Sequence, residues 1–186
     1  MLHSALHPGF SRIHGMGIVA MRDVPVGTAL WWPCPRCAVV PAGQLARTPQ
    51  DVLRWIAEYG YRRADGGLLT PCGGAFLLNH SCDAGVLDVG LAVGIAVRDI
   101  HQGEEVTCDY RGFRYEDLWR IRCTCGAAQC VGTVESTQGP LDPVLARAWE
   151  KQLNAALAFA ATVPQETTVL SGDIHGMPIG WEEDDG

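Results

Sequence analysis

The strongest hydrophobic pattern in the chain is an alternation of large and small apolar residues from Val89 to Val97. Valine, leucine and isoleucine occupy the odd positions, and glycine and alanine occupy the even ones. A period of two is the period of a β-strand, whose side chains point alternately to opposite faces. The pattern predicts one strand, or two joined strands, with the large residues in a core and small residues that let another layer approach. Shorter apolar runs predict strands at 18–21, 28–32 and 104–108.

Apolar residues at helical spacing predict two short helices before the C-terminal region. The first covers residues 49–58, with Thr48 as its N-cap and Pro49 at its first position. The second is a short amphipathic helix from Arg114 to Ile121.

The last part of the chain predicts one longer helix. Asp142 suits the N-cap, Pro143 suits the first helical position, and Pro164 follows the end. An apolar stripe along this helix contains Leu141, Leu145, Trp149, Leu153 or Ala156, and Ala160. Such a stripe packs either on the core of its own chain or on a second copy, which would give a homodimer through this helix.

The composition is that of an ordinary globular protein with one domain. The 186 residues are 47% hydrophobic and 19% charged, and no apolar run is long enough to span a bilayer. We therefore expect no membrane association. The first residues lack a basic segment followed by an apolar one, so no secretory signal is predicted. Eight cysteines without such a signal favour reduced thiols in the cytoplasm.

The net charge of −7 is concentrated at the C-terminus. Residues 164–186 contain six acidic and no basic residues, so residues 1–163 carry a net charge of only −1. This nearly neutral body argues against direct nucleic-acid binding, which needs a basic surface. Thirteen of the fourteen basic residues are arginine. Together with the many alanines and glycines, this indicates a bacterial genome of high GC content.

Three late cysteines have the spacing of metal ligands. Cys123, Cys125 and Cys130 form C-x-C-x4-C, which places three thiolates within reach of one ion. Tetrahedral zinc takes four ligands, so a fourth must come from elsewhere in the chain. Cys82 is the natural candidate, and the sequence predicts one zinc held by these four residues.

Cys34 and Cys37 have C-x2-C spacing, which suits half of a zinc site or a redox pair. A redox pair normally lies at a helix N-terminus, whereas the prolines around Cys34 favour an extended segment. A second zinc would need two more ligands, and only Cys72 and Cys108 remain among the cysteines. The interpretation favoured by the sequence is a proline-rich loop with two thiols.

Four short motifs follow one another along the chain. The first motif covers residues 15–24 and begins with the glycine-rich turn Gly15-Met16-Gly17. Glycine in this turn permits positive φ and close approach of a ligand. The others are Asn79-His80-Ser81-Cys82, A-x-R-D-I-x-x-G-E-E-x-x-x-D-Y from Ala96 to Tyr110, and C-x-C-G-x3-C-x-G from Cys123 to Gly132. Short motifs are weak evidence alone, but four in order are strong evidence.

With these motifs, over roughly residues 12–134, the sequence resembles the SET-domain protein lysine methyltransferases. The resemblance implies a mainly β fold of several small sheets with a knot-like crossing, short helices and the C-terminal α-helix. It implies a SET domain at 1–134, whose cysteine knuckle at about 122–134 is the family's post-SET segment. The C-terminal helix at 135–163 and an acidic tail at 164–186 follow.

The resemblance also implies methyl transfer from S-adenosylmethionine to the ε-amine of a lysine in a protein substrate. Tyr110 matches the tyrosine at the family's methyl-transfer centre, and we expect it to align the amine. Glu105 and Asp109 are expected to orient neighbouring groups rather than to accept protons. The expected substrate segment is basic. The cofactor-binding positions of the family, which act largely through backbone groups, match Gly15, Met16, Gly17, Asn79 and His80.

Two departures from the family pattern bear on function. The family usually has Phe or Tyr where this chain has Cys108, which would line the substrate channel with Tyr110. The smaller side chain predicts di- or trimethylation, or a different acceptor. Ala84-Gly85 stands where the family usually has Pro-Asn, which affects substrate contacts. These departures favour an alternative, a non-catalytic SET-like module that binds zinc and a partner.

Overall fold

The computed structural model describes residues 1–62, 66–89, 93–112, 119–136 and 141–167. Its α-helices are α1 (Gln50–Tyr59) and α2 (Pro143–Ala160), and no helix among these residues is long and apolar enough to cross a membrane. The strands in the same residues are β1 (Leu6–Phe10), β2 (Met16–Ala20), β3 (Ala29–Trp31), β4 (Ala38–Val40), β5 (Tyr61–Arg62), β6 (Leu68–Thr70), β7 (Asn79–His80), β8 (Val86–Val89), β9 (Val93–Ala96), β10 (Glu105–Cys108), β11 (Arg120–Arg122) and β12 (Thr133–Glu135). The mainly β fold is confirmed.

Strand β10 lies inside the largest sheet, whose order is β1-β2-β10-β8-β9-β3, with β7 also paired to β10. Its first half is antiparallel to β2, with Val106 opposite Ile18. Its second half is parallel to β7 and β8, with Cys108 opposite His80 and Val86. This change of partners brings the N-H-S-C segment (Asn79 to Cys82) beside the segment that ends in Asp109 and Tyr110. The knot-like crossing stays a prediction.

Two smaller sheets flank this one. One has the order β4-β6-β5, and the other is the antiparallel pair β11–β12. The predicted helix from Arg114 to Ile121 is wrong at its end, because Arg120–Arg122 form β11. The pairing of Ile121 with Val134, which is buried, takes this segment into a sheet. The earlier part of that predicted helix lies outside the described residues.

The alternating segment forms the hairpin of β8 and β9, as its two-strand interpretation predicts. Residues 90–92 between the strands lie outside the described part of the chain. Every residue of β9 is buried, so both of its faces are covered. Trp31 of β3 lies on Gly94, where an added Cβ would be 2.1 Å from the indole Cδ1. The small residue therefore permits the close approach that the alternation indicates.

The predicted start of α1 is wrong by one residue. The helix begins at Gln50, and its N-cap is Pro49 rather than Thr48. The Thr48 hydroxyl instead donates a hydrogen bond of 2.9 Å to the carbonyl oxygen of Gln44, within the preceding 3-10 helix, of which Thr48 is the C-cap. That local bond is an alternative to capping α1.

The C-terminal helix begins as predicted, because Asp142 Oδ1 accepts hydrogen bonds from the backbone at Val144 and Leu145, each 3.0 Å long. Its buried residues pack on the β8–β9 hairpin, and its backbone lies against Gly27. Gly27 has φ +88°, and an added Cβ would be 2.8 Å from a helix carbonyl oxygen. The buried stripe consists of Leu153, Ala156 and Ala160. This stripe packs on the core of its own chain, which is the first of the two alternatives that the sequence left open. A homodimer through α2 stays a prediction.

The first residues of the predicted acidic tail are bound to the body. The Gln165 amide donates to the carbonyl oxygen of Gly27 at 2.8 Å and accepts from Ala29 N at 2.9 Å. Glu166 accepts a hydrogen bond of 2.8 Å from Ser4 N. Residues 168–186 lie outside the described part of the chain. The domain boundaries themselves stay a prediction.

Candidate active site

The candidate active site lies where β7 meets β10. The parallel register places Asn79 opposite Thr107 and His80 opposite Cys108. Ser81 N then donates a hydrogen bond of 3.0 Å to the carbonyl oxygen of Cys108, which continues the contact beyond β7. Two motifs that are almost 30 residues apart in sequence therefore form one continuous wall.

Asn79 holds the glycine-rich turn Gly15-Met16-Gly17, hereafter the glycine loop. Its buried side-chain nitrogen lies 3.0 Å from the carbonyl oxygens of both His14 and Met16 and 2.9 Å from Oε1 of Glu105. The Glu105 carboxylate also accepts from the hydroxyl of Ser11 at 2.7 Å. The Asn79 side-chain nitrogen is therefore used within the protein.

The three residues of the glycine loop have different roles in this geometry. An added Cβ at Gly17 would be 2.5 Å from Oε1 of Glu105, so any side chain here would displace the Glu105 carboxylate. Gly15 has φ +50°, and no atom lies within 4 Å of the position where its Cβ would be. Met16 between them is 42% exposed. Gly15 and Met16 thus leave an open surface beside Asn79 on which a ligand can lie.

His80 is buried and is held on both sides of its ring. Its Nδ1 accepts a hydrogen bond of 3.1 Å from the backbone of Tyr110, and its Nε2 lies 3.3 Å from Sγ of Cys82. Burial lowers the pKa of His80, and this effect exceeds the opposing influence of Asp109. The neutral ring that accepts at Nδ1 carries its proton on Nε2, directed at Cys82. His80 therefore connects the Tyr110 segment to the cysteine knuckle.

Tyr110 directs its hydroxyl at the backbone before Asn79. Its Oη donates a hydrogen bond of 2.9 Å to the carbonyl oxygen of Leu78. Its ring packs beside His80 and makes an edge contact with Trp119, with centroids 5.4 Å and 6.2 Å away. Burial raises the pKa of Tyr110 far above its ordinary value, so the hydroxyl keeps its proton. The result is a fixed hydroxyl beside a carbonyl oxygen.

Cys108 meets Tyr110 at the same carbonyl. Its Sγ lies 3.9 Å from the Leu78 oxygen, and its side chain is buried. Burial raises the pKa of the Cys108 thiol well above its ordinary value, with Asp88 and Asp109 acting in the same direction. Cys108 is thus a neutral, small group next to the Tyr110 hydroxyl.

Asp109 is buried and pairs with Arg111. Nε of Arg111 lies 2.9 Å and 3.1 Å from the two carboxylate oxygens, and its Nη2 makes a further short contact with Oδ2. Asp109 also lies 3.5 Å from Nδ1 of His80. A carboxylate bound in this way orients its neighbours, which is the role expected from the sequence.

Four cysteines gather in one cluster, hereafter the knuckle. Their sulfur atoms all lie within 4.8 Å of one another, and the members are Cys82, Cys123, Cys125 and Cys130. Cys82 follows β7, and the other three lie in the loop between β11 and β12. In that loop Thr124 donates to the carbonyl oxygen of Ile13 at 3.5 Å. The knuckle therefore touches the loop that contains Gly15.

The knuckle fits a zinc ion. Zinc bound to four thiolates at about 2.3 Å separates neighbouring sulfur atoms by about 3.8 Å. The measured distance between Sγ of Cys82 and Sγ of Cys123 is 3.9 Å. The number of donors, their chemical softness and their spacing all agree with a closed tetrahedral site.

A cleft of about 270 Å³ adjoins the knuckle on the side of α2. Cys82, Asp109 and Arg111 line one wall, and Trp149 of α2 lines the other. An added Cβ at Gly112 would be 2.9 Å from the Trp149 ring, so α2 and this segment are closely packed. The C-terminal helix thus contributes to a surface next to the site, which its sequence did not indicate.

The interpretation of Cys34 and Cys37 as two thiols in a proline-rich loop requires correction. Cys72 joins them, and the three sulfur atoms lie within 4.8 Å of one another. Cys108, the other cysteine considered for this cluster, is instead buried against Leu78. We call the three-cysteine group the second thiol cluster.

Three comparisons with known proteins agree with this geometry. The family model described as SET domain matches residues 15–111. The histone-lysine N-methyltransferase TRX1 of Oryza sativa subsp. japonica is 31% identical over 149 residues, which cover 70% of this chain and 14% of that protein. ATX2 of Arabidopsis thaliana, also a histone-lysine N-methyltransferase, is 35% identical over 71 residues, 34% of this chain and 6% of that protein. The chain spans a small fraction of the length of these relatives.

A solved structure supports the fold. The crystal structure of KRYPTONITE in complex with mCHH DNA, an H3(1-15) peptide and SAH has a TM-score of 0.50 and 21% sequence identity. The similar region covers 71% of this chain and 30% of that one. The knuckle cysteines from Cys123 onward lie beyond the matched residues 15–111, so their post-SET assignment stays a prediction. The matched residues include the glycine loop, the N-H-S-C segment and Tyr110, and the chain belongs to the SET domain family.

Proposed function

We propose that this protein transfers a methyl group from S-adenosylmethionine to the ε-amine of a lysine in a protein substrate. The observation that carries the proposal is the fixed Tyr110 hydroxyl at the Leu78 carbonyl, one residue from the Asn79 that holds the glycine loop. The names of the similar relatives, histone-lysine N-methyltransferases, support the same reaction.

The proposed cofactor site lies along the glycine loop and β7. S-adenosylmethionine, when bound, supplies a methyl group on a positively charged sulfur. Gly15 and Met16 offer an open backbone surface, and Asn79 and His80 offer their backbone groups, since both of their side chains are used within the protein. The loop is fixed in advance by its hydrogen bonds, which reduces the cost of ordering it around a ligand.

The proposed acceptor site is the space beside Tyr110. Two oxygen atoms there, Tyr110 Oη and the Leu78 carbonyl, are placed to receive the N–H groups of a lysine amine and to align its lone pair. An ordinary lysine has a pKa of about 10.4, and buried surroundings favour its neutral form. Cys108 next to these oxygens is smaller than the Phe or Tyr usual in the family, which is the basis for proposing di- or trimethylation.

Zinc in the knuckle would act as a structural element of this site. Cys82 connects the metal to β7, and Thr124 connects the loop between β11 and β12 to Ile13, two residues before the glycine loop. Holding Cys82, Cys123, Cys125 and Cys130 on one ion would fix the loop between β11 and β12 to the end of β7 and beside the glycine loop. Closed four-thiolate sites of this kind are structural rather than catalytic.

The finer points of partner and location belong to the same proposal. We infer a basic segment around the substrate lysine, because the net charge of −7 favours encounter with a positive partner. The nearly neutral net charge of residues 1–163 favours a protein substrate over nucleic acid. Eight unpaired cysteines suit the reducing cytoplasm.

Labelled S-adenosylmethionine and an H3(1–15) peptide, together with a set of lysine peptides that have basic or neutral flanks, test the proposal. The expected result is label on peptide lysine, increased by basic flanks. A K151R variant removes the chain's single lysine and so excludes self-methylation as the source of label. Cofactor binding without label on any of these peptides would favour the non-catalytic module over an enzyme.

A further inference from the structure

The second thiol cluster has no part in the reaction just described. It is formed by Cys34, Cys37 and Cys72, which are all unpaired. Sγ of Cys34 and Sγ of Cys72 are 3.3 Å apart, although 38 residues separate them in sequence. Cys37 is buried, and the other two cysteines are half-buried. Three thiols brought together from two distant segments require an explanation.

The sheet β4-β6-β5 brings these segments together. Ala38, which follows Cys37, pairs with Thr70, which lies two residues before Cys72. Because β4 and β6 are antiparallel, the turn that enters β4 and the loop that leaves β6 lie at the same end of the sheet. The cluster is therefore a consequence of strand register.

The turn itself has the hydrogen bonds of a metal-binding knuckle. Cys37 N donates to the carbonyl oxygen of Cys34 at 2.9 Å and closes the C-x2-C turn. Cys34 N lies 3.4 Å from Sγ of Cys37. Backbone N–H groups directed at sulfur stabilise the thiolate form, which is the form that binds metals.

We propose that the second thiol cluster binds a second zinc ion through three thiolates, with its fourth position taken by water or another exchangeable ligand. Thiolates are soft donors that select zinc among the common divalent ions of a reducing compartment. Among the described residues, no fourth Cys, His, Asp or Glu joins the group. The half-exposed Cys34 and Cys72 place the open position at the surface.

Such an ion would fasten two parts of the fold. Cys34 lies three residues after the end of β3 in the large sheet, and Cys72 lies two residues after β6 in the small sheet. Between Cys37 and Cys72 the chain forms β4, α1, β5 and β6. The second ion would therefore fix this whole segment against β3. The ion in the knuckle would instead fix the loop between β11 and β12 to β7.

A disulfide is the competing explanation, and the geometry favours a metal. The 3.3 Å between Cys34 and Cys72 is well beyond the roughly 2.05 Å of a disulfide. Any single disulfide would also leave the third thiol unpaired. The C-x2-C turn closed by Cys37 N on the Cys34 carbonyl, with Cys34 N directed at Sγ of Cys37, suits a turn that binds a metal with two sulfurs.

The test is the zinc content per chain of the full-length protein, purified with a reductant and measured by plasma mass spectrometry. The wild type should exceed both C34S and C72S by one zinc, whatever the knuckle holds. C130S should lose a different zinc, and the double variant C72S/C130S should retain none. C108A, which alters the one cysteine outside both clusters, should match the wild type.

A second measurement keeps the test independent of folding defects in the variants. Apoprotein of the wild type should take up cobalt(II) in two spectroscopically different sites, and only the site with fewer thiolates should disappear in C72S. The proposal is overturned if the wild type and C72S contain equal zinc. It is also overturned if non-reducing mass spectrometry of protein purified with reductant finds a Cys34–Cys72 disulfide. Methylation activity does not enter either result, so failure here is separate from failure of the proposed function.

Discussion

The hydroxyl of Tyr110 donates a 2.9 Å hydrogen bond to the carbonyl oxygen of Leu78, the residue immediately before Asn79. The same carbonyl lies 3.9 Å from Sγ of Cys108. One backbone oxygen therefore connects the proposed catalytic hydroxyl, the small channel residue and the strand that holds the glycine loop. This arrangement depends on the parallel register of β7 with β10.

Replacing Cys108 with phenylalanine should reduce the number of methyl groups transferred. Cys108 is buried next to the Tyr110 hydroxyl, and a ring at this position would fill space that a methylated amine needs. Mass spectrometry of a methylated peptide should show monomethyl-lysine from C108F, with di- or trimethyl-lysine from the wild type. C108A is the matched control and should keep the wild-type distribution. An unchanged product from folded C108F would mean that Cys108 does not line the channel.

Replacing Cys82 with serine should remove one zinc and weaken cofactor binding together. Cys82 is shared between the knuckle and the end of β7, and the loss of a ligand should loosen the loop that contacts Ile13 and so reduce cofactor affinity. Metal analysis and calorimetry with S-adenosylmethionine measure the two effects. C72S is the control, because it should lose zinc without a comparable loss of cofactor affinity. Loss of zinc in C82S with unchanged cofactor affinity would contradict the link between knuckle and cofactor site.

Asp88 should make the stability of the protein decrease as the pH rises. Burial raises the pKa of Asp88 to about 7, although the Trp31 indole donates a 2.9 Å hydrogen bond that opposes the shift. A folded pKa above the unfolded one means that the stabilisation is complete below about pH 4 and is lost as the pH passes 7. D88N keeps a carbonyl oxygen for Trp31 and removes the ionisation. The melting temperature of D88N, relative to that of the wild type, should therefore rise between pH 5 and pH 8. A difference between the two melting temperatures that does not change with pH would contradict the raised pKa of Asp88.

The motifs predicted much of the site because their chemistry required a partner. Three cysteines spaced C-x-C-x4-C need a fourth ligand, and this requirement pointed to Cys82, which the structure places in the same cluster. A metal shared by Cys82 and the late cysteines also implies that Tyr110 lies near Asn79 and His80. The capping residue Asp142 and the apolar stripe of α2 were predictable for a different reason, because each has a local sequence signature.

The features that the sequence did not indicate depend on strand register or on backbone atoms. Cys72 joins Cys34 and Cys37 through the pairing of β4 with β6, which no local pattern reveals. Leu78 contributes a carbonyl oxygen, and a backbone group leaves no trace in residue type. Thr48 resembles an N-cap, yet its hydroxyl bonds to the preceding 3-10 helix.

Deleting residues 168–186 should raise KM for a basic peptide at low salt and change it less at high salt. These residues carry five of the six acidic charges in the predicted tail, and their attraction is screened over about 8–10 Å at ordinary salt. The deletion begins after Thr167 because Gln165 and Glu166 are bonded to the body, so a longer deletion would also disturb packing. KM for a neutral peptide should not change. If the deletion variant and the wild type have the same KM for the basic peptide at low salt and also at high salt, the tail has no role in substrate capture.

The most direct test of the central claim compares the turnover of two variants that each lose one hydroxyl. Y110F removes the hydrogen bond to Leu78, and T162V removes a 2.8 Å hydrogen bond from an exposed hydroxyl to the carbonyl oxygen of Phe159. Removing one preorganised group at a reacting centre costs roughly 100-fold or more in rate. With a peptide that the wild type methylates, Y110F should lose about that much turnover and bind S-adenosylmethionine normally, while T162V should match the wild type. Wild-type turnover by Y110F would contradict the assignment of Tyr110 as the catalytic residue.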